Sequence, residues 1–216
     1  MILPFGTAAE QEAAAPRVRA HLQSGGLLAY PTETVYGLGS RPTEVGVVAL
    51  NRLKERPPRK PFLLLVSSQA MAEQAGLVFN ASASALARAF WPGPLTLVLP
   101  GGEGRLPDAL RGGEGGIAVR QTSHAGIRRL VAALGEPLTS TSANRPGTPP
   151  APGVSRIAEV FHDAIDAGQL LVLDGGVLGQ VPPSTIVDCT TRVPRLIRDG
   201  AIPRAELRRA AGRLAP

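Results

Sequence analysis

The sequence predicts a single α/β domain, residues 1–216, built on one mixed sheet, and three observations carry that prediction. Apolar runs of strand length alternate with capped amphipathic segments from one end of the chain to the other. The 25 Gly and 21 Pro fall between those segments without collagen periodicity, so they mark loops and not low complexity. No stretch reads as a linker, and no internal repeat is present.

In chain order, Thr7-Ala-Ala-Glu10 has the form of a capping box and opens a helix to about Gln23, ended by Gly25-Gly26. Leu27–Tyr30 is a short strand stopped by Pro31. Thr43 or Glu44 begins a second helix with Val47, Val48, Leu50 and Leu53 on one side. The unbroken apolar run 62–66 is expected to be a strand buried on both faces. Ser68 and Asn80 cap two further helices, the second ended by Pro92 and Pro94. Leu95–Leu99 and Ile117–Arg120 are strands, separated by a loop with seven Gly in 101–116. Ser123 is expected to cap a helix to Leu134. A strand over 138–141, a helix over 154–161, strands over 170–173, 185–188 and 196–198, and a basic helix from Ile202 follow.

Composition narrows the function classes. Hydrophobic residues make up 44% and aromatics 4%, so the chain can bury a core, and that core is aliphatic. The lone Cys189 excludes a disulfide framework or a Cys-based metal site within one chain. No run of 18 apolar residues or secretory leader is read, so no membrane partner is expected and the cytoplasm is the default location. The net charge of +6 fits either an anionic partner, nucleotide or RNA, or a generic basic surface. The cations are 21 Arg and two Lys, and both Lys fall in the segment 52–60 with Arg52, Arg56 and Arg59. Compact ammonium groups placed there fit phosphate. The basic C-terminal segment reads as a solvated helix face.

Several chemistries are absent from the sequence. There is no phosphate-binding G-x-x-x-x-G-K-[ST] loop and no G-x-S-x-G elbow. A degenerate glycine fingerprint at 113–118 precedes a strand instead of joining strand to helix, so it is rejected. The three His, at 21, 124 and 162, are scattered, and no metal site is expected.

Four polar segments at strand ends remain. Tyr30-Pro-Thr-Glu-Thr-Val-Tyr-Gly-Leu-Gly39 places two hydroxyls and a carboxylate beside glycines; it reads either as a seat for a small polar molecule or as an ordinary strand-to-helix connection. Lys54-x-Arg56, with Arg59 and Lys60, is read as an extended loop whose alternate residues face one anion, or as a solvated basic loop. Leu138-Thr-Ser-Thr-Ser-Ala-Asn144 lays down a row of short hydrogen-bonding groups, with Ser140, Ser142 and Asn144 on one side. Pro183-Ser-Thr-Ile-Val-Asp188 brings a serine into a strand, and Arg195-Leu-Ile-Arg198 brings an arginine out of the next.

Taken together these segments resemble the YrdC-type family, the L-threonylcarbamoyladenylate synthases of tRNA modification, in its short form. The marks are the K-x-R pair Lys54/Arg56, the S-x-N pair Ser142/Asn144, the Pro-Thr-Glu-Thr-Val-Tyr-Gly-Leu run, Trp91-Pro-Gly-Pro-Leu-Thr96 and Pro-Ser-Thr-Ile-Val-Asp188. The resemblance implies a twisted mixed sheet with flanking helices around a large concave basic cavity. It implies a nucleotidyltransferase that turns L-threonine, bicarbonate and ATP into threonylcarbamoyl-AMP and pyrophosphate. By position, Thr34, Arg120, Ser140 and Ser184 are expected to hold threonine. Lys54, Arg56, Lys60, Ser142, Asn144 and Arg198 are expected to hold ATP, with Lys54 and Arg56 as the catalytic pair. Mg²⁺ is expected on ATP oxygens and water, and proteins that transfer the product to tRNA are the expected partners. Longer relatives carry a His in the strand after K-x-R that helps hold threonine; this chain has Leu65 there, which bears on amino-acid selectivity. Two other readings compete: a binder of double-stranded RNA or of the ribosome, and an enzyme of related carbamoyl chemistry with another substrate.

Overall fold

A computed structural model describes residues 1–55, 61–113, 115–179 and 181–215. Ten strands form the sheet: β1 (Ile2–Pro4), β2 (Leu27–Tyr30), β3 (Gly37–Gly39), β4 (Leu63–Leu65), β5 (Leu95–Leu99), β6 (Ile117–Arg120), β7 (Leu138–Ser142), β8 (Leu170–Asp174), β9 (Thr185–Asp188) and β10 (Arg195–Arg198). Eight α-helices accompany them: α1 (Ala8–Gln23), α2 (Glu44–Lys54), α3 (Gln69–Gln74), α4 (Ala81–Phe90), α5 (Ala125–Leu134), α6 (Val154–Val160), α7 (His162–Asp166) and α8 (Arg204–Ala211).

The strand order is β1-β8-β2-β3-β7-β4-β6-β5-β9-β10, with parallel pairs at β1/β8, β2/β8, β4/β6 and β5/β9 and antiparallel pairs elsewhere. The sheet is mixed, as the alternation of elements predicts. Helix α1 packs on β1 and β2 and against α5, α4 packs on β5, and α8 packs on α4. The buried set is aliphatic, running from Leu28 and Leu38 through Leu64, Leu97 and Val119 to Val172.

Local signals explain most boundaries. Thr7 and Glu10 form the reciprocal capping box, and Thr43, Ser68 and Asn80 each accept the third amide of their helix. Gly135, at φ 77°, ends α5 in the left-handed conformation that a side chain disfavours. In β3 the glycines are required by packing: a Cβ on Gly39 would stand 2.1 Å from the Thr139 carbonyl oxygen.

Four expectations are corrected. Val48 does not share the buried side of α2 with Val47 and Leu50 but is exposed. His124, not Ser123, caps α5, its Nδ1 accepting the Ile127 amide at 3.2 Å. The helix expected over 154–161 is α6, and a second short helix, α7, follows it beyond Phe161. The C-terminal helix begins at Arg204. Lys54 is the last residue of α2, not part of an extended loop, because Glu55 adopts φ 51° and turns the chain there. The burial expected of β4 holds at Leu64 and Leu65, while Leu63 is half-buried, and Leu63 and Leu65 line a cavity.

Candidate active site

The cavity holds about 510 Å³ over one face of the strands from β7 to β10. The two-residue period of a strand selects its lining: Leu63 and Leu65, Thr96 and Val98, Ala118 and Arg120, Ser140 and Ser142. The residues between them in β4, β5 and β6, Leu64, Leu97 and Val119, belong to the core, whereas in β7 Thr141 lines the cavity with its neighbours. Register then sets one row across five strands. Arg120 aligns with Leu65 on one side and Thr96 on the other, Thr96 aligns with Ile186, and Ile186 with Arg198.

Above the row lies the turn that follows β2. The Thr32 hydroxyl donates to the Val35 carbonyl at 2.6 Å and accepts the Val35 amide at 3.2 Å, which fixes the turn. Thr34 Oγ1 consequently sits 3.3 Å from both terminal nitrogens of Arg120. Arg120 donates from Nε to the Gly93 carbonyl at 3.2 Å and from Nη2 to Glu33, whose second oxygen accepts the Thr122 hydroxyl. Burial pushes the Glu33 carboxyl upward, but the Arg120 charge and the Thr122 hydrogen bond outweigh it and hold the group below the usual carboxylate range. The guanidinium is thus held by Gly93 and Glu33, with the Thr34 hydroxyl against its two terminal nitrogens.

Beside it, Thr96 Oγ1 and Ser184 Oγ lie 3.0 Å apart. Arg198 donates to the Ser184 carbonyl at 2.7 Å from Nη2 and 3.2 Å from Nε, and to its hydroxyl at 3.1 Å. Burial, and then the like charge of Arg120, draw the Arg198 pKa below its ordinary value. Two guanidinium groups lining one cavity favour anionic ligands.

At the opposite rim, Lys54 is buried, and its Nζ donates to the Ser142 carbonyl and to Asn144 Oδ1 at 3.0 Å. The Ser142 hydroxyl donates to the same Oδ1 at 2.6 Å. The K-x-R and S-x-N marks, about 90 positions apart in the chain, therefore meet through Lys54.

Of the residues singled out from sequence, Thr34, Arg120, Ser140, Ser142, Ser184 and Arg198 line this one cavity, and Lys54 and Asn144 join it at Ser142. Arg56 and Lys60, with Arg59, lie outside the described residues. Leu65 is on the floor. Sequence reasoning quoted Glu33 and Thr96 within their motifs without giving either a role, and it passed over Thr122. Glu33 was legible as the acid inside the Pro-Thr-Glu-Thr run and Thr96 as the hydroxyl in an apolar strand; Thr122 carried no such signal. Another cavity, about 530 Å³, lies between α1 and α2, but its His21 is engaged by the Leu27 carbonyl at 2.8 Å. Among the described residues no helix is long and apolar enough to cross a membrane.

Comparison with known proteins identifies the family. Residues 20–200 match the Sua5/YciO/YrdC family model, whose description is "Telomere recombination". The chain is 40% identical over 170 residues to the threonylcarbamoyl-AMP synthase of Chromohalobacter salexigens, covering 78% of this chain and 89% of the relative. It is 34% identical over 194 residues to the threonylcarbamoyl-AMP synthase of Pyrococcus abyssi, covering 89% of this chain but only 56% of that longer protein. The crystal structure of Pyrococcus abyssi Sua5 complexed with L-threonine superposes with a TM-score of 0.88 at 32% identity, over 100% of this chain and 63% of that one. With the cavity, its paired cations and the match over residues 20–200 in agreement, the chain belongs to the Sua5/YciO/YrdC family.

Proposed function

We propose that this chain is a threonylcarbamoyl-AMP synthase, using L-threonine, bicarbonate and ATP in the threonylcarbamoyladenosine modification of tRNA. One observation carries the reading: a single cavity is lined by an arginine held by a carboxylate and ringed by hydroxyls, and by Ser142, the residue through which Lys54 grips the Ser-x-Asn loop. The first arrangement suits an amino acid, the second a phosphate chain. The family relatives named threonylcarbamoyl-AMP synthase, and the relative complexed with L-threonine, support it.

In this mechanism the threonine amine takes up the carbon of bicarbonate, with loss of water, to give a carbamate. A carbamate oxygen attacks the α-phosphorus of ATP, and the bond to the β-phosphate bridging oxygen breaks to release pyrophosphate. No protein nucleophile is required. The chain's work is positioning and charge stabilisation. Arg120 clamps the threonine carboxylate, Thr34, Ser140 and Ser184 read its hydroxyl and amine, and Lys54, Arg56 and Lys60 with Ser142, Asn144 and Arg198 hold the phosphates and nucleoside.

Glu33, the carboxylate beside Arg120, has both oxygens engaged, and among the described residues no group of three or more His, Cys, Asp or Glu could hold a metal ion. Mg²⁺ accordingly arrives on ATP, held by phosphate oxygens and water. The described residues share one sheet, which supports reading 1–216 as one catalytic unit. A tRNA-directed product calls for a cytoplasmic setting and for proteins that pass the product on to tRNA.

The test is pyrophosphate release by the purified chain. Release requiring threonine, bicarbonate and ATP together is expected. Salt-sensitive double-stranded RNA binding without turnover would replace the enzyme with a binding module, and turnover with a different amino acid would redirect the substrate.

A further inference from the structure

Arg145 directly follows the Ser-x-Asn loop and has no role in the mechanism above. Its Nη1 donates back to the carbonyl of Leu53 in the last turn of α2 at 2.5 Å, and pairs with Glu55 just beyond that turn at 2.9 Å. Its guanidinium carbon lies 5.2 Å from the ring centroid of the buried Phe161. The residue is thus fixed from three directions: a helix-end carbonyl, a carboxylate and an aromatic face.

Its arm runs opposite to that of its neighbour in space. Lys54 leaves α2 and grips the loop at Ser142 and Asn144; Arg145 leaves the loop and grips α2 at Leu53. The loop is closed beyond them by Asn144 Nδ2 donating to the Thr148 carbonyl and Thr148 Oγ1 donating to the Arg145 carbonyl at 2.9 Å. Helix end and loop form a reciprocal clasp around the ammonium group. A cation at a helix C-terminus is also favoured by the partial negative charge of the terminal carbonyls.

We propose that Arg145 is a positioning residue, which fixes the Lys54 ammonium relative to the Ser-x-Asn loop and acts on the reaction through Lys54. The inference rests on the proposed role of Lys54 toward the phosphates. Small displacements of a charge that stabilises a transition state are expensive in rate, so loss of the clasp lowers turnover and leaves the amino-acid end of the cavity unaffected.

The test is a double-mutant cycle on threonine-dependent pyrophosphate release. Arg145→Met keeps an unbranched stem against Phe161 and removes the donors; it should lower kcat about 10-fold with the threonine KM unchanged. Arg145→Lys, which retains a charged donor, should recover most of that loss. In a Lys54→Ala background, Arg145→Met should change the remaining rate less than about twofold. Wild-type turnover in Arg145→Met, or an equal 10-fold loss in the Lys54→Ala background, overturns the proposal while leaving the enzyme reading intact. A wild-type chain without threonine-dependent release removes the enzyme reading instead, and amide hydrogen exchange then decides the clasp. Faster exchange over 50–55 and 142–148 in Arg145→Met supports it, and unchanged exchange overturns it.

Discussion

Arg120 and Glu33 form an ion pair behind the cavity, with side chains only 6% and 19% exposed. The pair is reinforced by Thr34 and Thr122, so each charge meets more than its partner. Removing one member leaves the other buried and uncompensated, which typically costs about 3–5 kcal/mol. Glu33→Gln should therefore lower stability by up to about that amount, read from the denaturant midpoint. The folded Glu33 pKa is depressed, so its contribution is present above the unfolded carboxylate value and fades as pH falls through the folded one. Wild-type Tm should decline on acidification below roughly pH 4.5, and Glu33→Gln should show a shallower decline. Parallel pH profiles for the two proteins would disprove this linkage.

Arg120→Ala tests the amino-acid end. A charge-assisted hydrogen bond contributes about 1.5–3 kcal/mol, so the threonine KM should rise roughly 10- to 100-fold. Circular dichroism establishes that the fold survives. An unchanged KM in a folded variant takes Arg120 out of the pocket.

Lys54→Ala tests the phosphate end. Loss of a preorganised charge contact commonly lowers kcat ~10²–10³-fold, and a loss of that size is expected with secondary structure retained. The same loss is expected for Arg56→Ala. Near wild-type pyrophosphate release from either variant defeats its assignment.

The cavity floor is apolar at Leu65, whose side chain is 1% exposed. Leu65→Ala opens space beneath the amino-acid end and should cost about 2–5 kcal/mol in stability. It should also narrow the preference for threonine over bulkier β-hydroxy amino acids by about 10-fold, the scale of one or two methylene groups. Competition between the two substrates gives the ratio, and an unaltered ratio would mean that Leu65 does not shape the pocket.

His124 supplies a pH dependence of a different origin. Its Nδ1 must be unprotonated to accept the Ile127 amide, and burial keeps its pKa below the ordinary histidine value. A histidine depressed in the fold stabilises fully above its unfolded value near 6.5, and the contribution drains away as pH falls toward the folded value. A cap is worth about 1 kcal/mol. His124→Asn keeps an acceptor that does not titrate, so its Tm should be flatter than wild type between pH 7 and 5. Equal slopes would show that the cap does not titrate.

How much of this was legible beforehand follows from the range of each interaction. Caps act within four residues, so Thr7, Thr43, Ser68 and Asn80 were readable. Alternation along 138–142 put Ser140 and Ser142 on one face before any coordinates existed. β3 was not readable, because three residues with two glycines carry no strand propensity, and its glycines answer to Tyr30 and Thr139 across the sheet. Nor was the helical setting of Lys54, since the left-handed Glu55 that ends α2 gives no sequence signal of its own. The Glu33–Arg120 pair joins positions 87 apart, a distance over which local pattern says nothing. The family resemblance named Arg120 but could not supply its counter-ion.

The row from Leu65 through Arg120, Thr96 and Ile186 to Arg198 constrains how such a protein can change. Because side chains alternate, a single inserted residue in β5 or β6 would exchange the two sides of the strand and send its ligand-facing groups into the hydrocarbon interior. Substitution can retune this pocket one position at a time, whereas length variation is confined to the connecting segments.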